Sequence, residues 1–164
     1  MMIGIPRERK SGENRVAIIP SGITPLLEAG YEVVVESGAG LPAHFSDDEY
    51  RHAGAIIAND AESLYRQAPV ILKVLAPDSD EANLIQPEST LICLLDPWFN
   101  RPLLEQLAGK SVQAFALDLV PRTTRAQSMD VLSAMAGISG YRAVLSGAMA
   151  LPRYFPMLMT AAGT

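Results

Sequence analysis

The feature that most limits what this chain can fold into is an alternation. Short runs rich in apolar and β-branched residues, at 3–5, 32–36, 55–57, 70–75, 90–95 and 111–117, are separated by stretches with helical spacing. Runs such as 70–75 and 90–95 are almost unbroken in apolar character, as strands covered on both faces must be. The segments between them can hold crossover helices, so the expected fold is α/β, an open, mostly parallel, flavodoxin-like sheet with flanking helices. Local signals agree. Ile23, Leu26 and Leu27 make a helical stripe that stops at Gly30, a residue suited to the left-handed position after a helix. Ser46-Asp47-Asp48-Glu49 spells a capping box, and Asp60 and Asn100 are expected N-caps, the Asn100 helix ending near Gly109.

Composition narrows the class further. With 164 residues, 49% of them hydrophobic, the chain can bury one core. Thirteen basic against 18 acidic residues leave a formal charge of −5, the opposite of what a phosphate backbone attracts, so nucleic acid is not an expected partner. The single cysteine, Cys93, lies in an apolar run and reads as a small core residue in a reducing cytosol. One stretch, 131–151, has the length of a membrane span, but Arg142 lies inside it and Ser133, Gly137, Ser139, Gly140, Ser146 and Gly147 dilute it. A spanning helix is not expected.

After residue 117 the texture changes. Pro121 and the polar stretch 122–127 read as a loop, a helix begins at about Asp130, and Pro152 and Pro156 break it. The expected division is an α/β domain over 1–126 and a loop end plus linking helix over 127–164.

In a parallel sheet, ligands gather at the carboxyl ends of strands, which makes the polar residues there the candidates. Arg15 follows the first strand and could hold a carboxylate or phosphate bidentately, or form a surface ion pair with Glu13. Lys73 places an ammonium in an apolar strand, either buried and paired or guarding a sheet edge. Asp96 closes the run 90–95 as a turn residue. The segment 122–130 gathers two guanidinium groups, an amide, hydroxyls and a carboxylate before a helix start. That chemistry suits an amide-bearing, phosphate-linked ligand, or else a solvated loop in which Ser128 or Asp130 caps the helix. No G-x-G-x-x-G, P-loop or G-x-S-x-G occurs, and His44 and His52 have no cysteine cluster to make a zinc site.

Met2-Ile3-Gly4-Ile5-Pro6-Arg7-Glu8, Glu13-Asn14-Arg15-Val16-Ala17 and Glu36-Ser37-Gly38-Ala39-Gly40 resemble the N-terminal domain shared by alanine dehydrogenases and the alpha subunits of proton-translocating transhydrogenases. Pro121-Arg122 with Arg125-Ala126-Gln127-Ser128-Met129-Asp130, Gly140-Tyr141-Arg142-Ala143-Val144 and Met159-Thr160-Ala161-Ala162-Gly163-Thr164 are similar to the transhydrogenase branch in particular. The resemblance implies an oxidoreductase and translocase component that binds NAD(H) and exchanges hydride with NADP(H) held on a partner component, coupled to proton movement. Arg122, Gln127, Asp130 and Ser133 are the matching cofactor-binding positions. Gln127 and Asp130 would position the dihydronicotinamide, Arg122 would order the loop, and Tyr141 would serve packing. Hydride transfer between two rings needs orientation and no general acid, which fits a loop of positioning groups.

The same resemblance implies further partners: a Rossmann NAD domain expected outside these residues, since 160–164 leads into its glycine fingerprint in the family, then the NADP(H)-binding component and a membrane proton channel. A homodimer in the complete subunit is expected, cytoplasmic and peripheral to the inner membrane. Two alternatives stand beside it. In alanine dehydrogenases the positions matching Arg15 and Lys73 hold the keto acid, but a histidine stands where this chain has Asp96. The third possibility is a non-catalytic interaction module built on the small-residue helix after Asp130.

Overall fold

The computed structural model describes residues 1–153 together with 159 and 161. The chain divides into two compact units, Met1–Leu119 and Val120–Thr164. In the first, the strands are β1 (Met2–Ile5), β2 (Glu32–Glu36), β3 (Ile56–Ala58), β4 (Val70–Leu75), β5 (Thr90–Leu94) and β6 (Gln113–Ala116). Among the described residues they make one sheet, ordered β3-β2-β1-β4-β5-β6 and parallel at every pairing. That is the flavodoxin order 2-1-3-4-5 with one short strand added beyond β2, and its direction reverses between β1 and β4.

The side-chain period of two sorts the core. Val34 of β2 joins Ile71, Leu91 and Cys93 in one buried cluster, while its neighbours Val33 and Val35 join Ile5, Ile23 and Tyr50 in the other. The first cluster is covered by α3 (Ala61–Gln67), α4 (Ser79–Leu84) and α5 (Arg101–Gly109), the second by α1 (Ile23–Glu28) and α2 (Asp47–His52). Gly4 of β1 lets α3 come close: a Cβ there would lie 2.7 Å from Ala68 Cβ and 2.9 Å from Leu64 Cδ2.

Most local signals act as expected. Gly30 takes φ +85° after α1. Ser46 Oγ accepts the Glu49 N–H while Glu49 reaches back to the Ser46 N–H at 2.7 Å. Asp60 accepts the Ser63 N–H at 2.8 Å. Cys93 is buried, and burial pushes its thiol up to about 12, so it is an inert core residue.

Four details differ from the sequence expectation. Residues 111 and 112 belong to the exit of α5, where Ser111 is left-handed at φ 56° and the Val112 N–H donates to Leu107 O, so β6 starts at Gln113. Ala55 likewise closes α2 by donating to Tyr50 O, which moves β3 one residue on. Asn100 precedes α5 without capping it through its side chain; its amide turns back to the β5 exit. Helix α4 is additional to the expected elements, although Asp78 and Glu81 form a second capping box.

In the second unit, the segment expected to be a plain loop contains a 3-10 helix, Thr124–Met129, followed by α6 (Val131–Ala150). α6 ends where Leu151 turns extended ahead of Pro152, as a residue before proline tends to do. Pro156, Thr160, Ala162, Gly163 and Thr164 lie outside the described residues. Among the described residues no helix is long and apolar enough to cross a membrane.

Candidate functional site

At the carboxyl edge of the sheet the protein's own carboxylates hold the strand-end amides. Glu36 accepts the Arg7 N–H beyond β1 at 2.9 Å, and Asp47 accepts the Gly38 N–H beyond β2 at 2.8 Å. Glu8 accepts from Val74 at 2.7 Å and Leu75 at 3.3 Å, and Asp118 from Leu95 and Asp96, both at 2.8 Å. Parallel strands of unequal length leave end amides without ladder partners, and a carboxylate satisfies two at once.

Lys73 lies at the point where the strand order reverses. It sits in β4, an interior strand whose pairing with β5 shifts register between Leu72 and Leu75, so it does not guard an edge. Its ammonium is 3% exposed and donates to Glu81 Oε1 at 2.8 Å, with Glu8 Oε2 at 3.5 Å. Tyr65 Oη also donates to Glu81, and Arg9 approaches it at 3.8 Å from a more exposed position. Burial and the neighbouring Glu81 carboxylate push the Tyr65 hydroxyl upward, so it stays a donor. A cavity of about 230 Å³ opens beside this cluster, lined by Glu8, Arg9, Lys10, Lys73, Asp78 and Glu81 among others. It occupies the crevice where doubly wound sheets bind ligands, and its formal charges balance.

Arg15 lies nearby in sequence but not in this cluster. Its guanidinium donates to both Glu13 oxygens, at 2.8 and 2.6 Å, and those bonds hold the Glu13 carboxyl below its usual range and raise Arg15 further. The surface ion pair is the arrangement present. Asp96 is a turn residue with φ 46°, a left-handed conformation unusual for a side-chain-bearing residue, and its carbonyl accepts from Phe99 and Asn100.

The polar segment lies in the other unit. Arg122, Gln127 and Ser133 are exposed and Asp130 is half-buried. Asp130 caps α6, accepting the Ser133 N–H at 2.9 Å and its hydroxyl at 2.6 Å. The hydrogen bonds from Ser133, aided by Arg122, hold the Asp130 carboxyl below its ordinary value. The 3-10 turn thus presents the Gln127 amide to solvent three residues ahead of a fixed anionic cap. Among the described residues no cluster of metal-ligating side chains occurs.

Glu8, Glu81 and Asp118 escape sequence reasoning. For Glu81 a signal exists, the spacing Asp78-Ser79-Asp80-Glu81, which is a capping box like that at Ser46. Glu8 and Asp118 carry none, because their partners are backbone amides 66–67 and 22–23 residues away.

Comparison with known proteins adds an independent line. A family model described as "Alanine dehydrogenase/PNT, N-terminal domain" matches residues 4–139. The first of the separate chains that make up the NAD(P) transhydrogenase alpha subunit of Rhodospirillum rubrum is 47% identical over all of this chain and 44% of its own length. The solved transhydrogenase of Sinorhizobium meliloti superposes with a TM-score of 0.92 at 40% identity, over 99% of this chain and 48% of that one. An L-alanine dehydrogenase structure gives 0.84 at 35% identity, over 91% and 40%. The chain therefore spans less than half the length of these relatives.

Proposed function

Because the chain belongs to the alanine dehydrogenase/PNT N-terminal domain family, we propose that it supplies the nicotinamide-facing segment of the NAD(H)-binding part of a transhydrogenase. In this reading Gln127 and Asp130 orient the dihydronicotinamide, Arg122 and Ser133 order the segment around them, and hydride passes directly to NADP(H) held on a partner component. Proton translocation, a membrane component, a Rossmann domain for the rest of the dinucleotide and a homodimeric, membrane-peripheral assembly follow from the same reading. The observation that carries it is the similarity to a transhydrogenase alpha chain along the whole sequence, the polar segment included.

The local chemistry is compatible. No proton moves on or off the reacting carbons, so the work of these side chains is to hold a ring at a fixed distance and face. Asp130 is already anchored through Ser133, and the Gln127 amide offers a donor and an acceptor to a carboxamide. In a complete transhydrogenase carrying these residues, Gln127→Asn and Asp130→Asn should slow hydride transfer on the order of a hundredfold, measured by stopped flow, with the fold unchanged. Wild-type rates in both variants would remove them from the site.

A second reading, an alanine dehydrogenase-like piece, draws on Lys73 beside the switch-point cavity. Asp96 weighs against it, because a carboxylate is a poor acid/base catalyst near neutral pH unless its pKa is strongly raised. The complete enzyme should form no pyruvate from alanine and NAD. Measurable pyruvate would reverse the assignment between branches.

A further inference from the structure

Asp118 lies in the single 3-10 turn Leu117–Leu119 that follows β6, and three residues later the chain reaches Arg122. Its two oxygens are both committed, one to the Leu95 N–H and one to the Asp96 N–H, each at 2.8 Å. From the other side the Asn100 amide donates to the carbonyls of the same two residues, at 2.8 Å to Leu95 and 3.2 Å to Asp96. Between these clamps sits Asp96 in its left-handed conformation. A non-glycine residue held at positive φ persists only where its surroundings over-determine it, and such residues concentrate where a backbone must be placed accurately.

An isolated turn does not need this much. Phe99 and Asn100 already close it by donating to the Asp96 carbonyl, and a glycine at 96 would adopt the same backbone without strain. What Asp118 adds is a link of two charge-assisted hydrogen bonds between the exits of β5 and β6, made at the last residues before the polar segment begins. We propose that Asp118 is a positioning residue for hydride transfer, fixing the exit of β6 against that of β5 so that the 122–133 segment starts from one place. This rests on the reading that Gln127 and Asp130 orient the nicotinamide. Asp118 itself touches neither nucleotide.

The test uses the complete transhydrogenase and [4-2H]NADH. Asp118→Asn keeps the size but sets an amide donor against one of the two N–H groups, while Asp118→Glu keeps both acceptor oxygens. The expected result is that Asp118→Asn slows hydride transfer at saturating nucleotide at least about tenfold, as a misplacement on the order of 1 Å far from the chemistry can do. The deuterium isotope effect should change with it, and Asp118→Glu should recover part of the rate.

A merely structural Asp118 would lower the folded fraction and leave the isotope effect of the folded enzyme alone. A wild-type rate, or a loss that tracks the folded fraction with an unchanged isotope effect, overturns the proposal. Should Asp118→Asn not accumulate as folded protein, the same criteria apply to Asp118→Glu, where an altered rate and isotope effect supports the proposal and wild-type values for both refute it. Gln127→Asn runs alongside: an impaired Gln127→Asn with a normal Asp118→Asn sinks only this inference, and a normal Gln127→Asn sinks the underlying reading as well.

Discussion

At the scale of single residues, the molecule uses carboxylates more as backbone partners than as surface charge. Glu8 and Asp118 each take two amides, and Glu81 takes the Lys73 ammonium, the Tyr65 hydroxyl and the Asp78 N–H together. Removing Lys73 would leave two buried acids facing each other with only the half-exposed Arg9 for compensation. Breaking a buried pair by deleting one partner costs roughly 3–5 kcal/mol. Lys73→Met should therefore lower the unfolding free energy of the chain by about that amount in a denaturant titration. The double variant Lys73→Met/Glu81→Gln should recover part of the loss, because one of the two stranded charges is gone. A loss under about 1 kcal/mol in the single variant would mean that water reaches the cluster and solvates it.

At the scale of elements, short helices here depend on their ends and close packing on small residues. Gly4→Ala forces a methyl into contact with Ala68 and Leu64 across the β1–α3 interface. Overpacking of that kind costs about 1–3 kcal/mol, readable as a drop in thermal midpoint with the fold retained. An unchanged midpoint would mean that α3 can move off the sheet freely.

The cap of α6 makes a pH prediction whose sign follows from Asp130. Its folded carboxyl is held below the ordinary 3.8, so the stabilisation it lends the helix is complete above that value. It is lost as pH falls through the depressed one. The Ser133 amide resonance should follow that titration, with a midpoint under 3.8. Asp130→Asn should keep the helix, since asparagine is a good cap, while abolishing the titration. A midpoint at or above the ordinary value would contradict the hydrogen bonds to Ser133.

At the scale of the whole molecule, residues 1–164 contain no glycine fingerprint, so nothing in them matches the backbone cradle that holds a pyrophosphate. On its own this chain should show no NADH binding at micromolar concentration by calorimetry, and adding the dinucleotide domain of a transhydrogenase should restore it. Micromolar binding by the chain alone would reveal a nucleotide site outside the segment described above. What the sequence by itself determined were the features set by neighbours a few residues apart. Apolar runs gave the strands, Ser46–Glu49 and Asp60 gave helix starts, Gly30 gave a stop, and Asp130 gave the start of α6, because periodicity and capping are local interactions. The polar segment 122–130 was legible for the same reason, its groups being adjacent in the chain. Tertiary structure decided the rest. It placed β4 inside the sheet, which turned Lys73 from a possible edge guard into a buried charge, and it brought Glu8 to Val74 and Asp118 to Leu95. Those contacts arise from strand order and from backbone amides, which every residue but proline carries alike. No side-chain pattern along the chain can announce them.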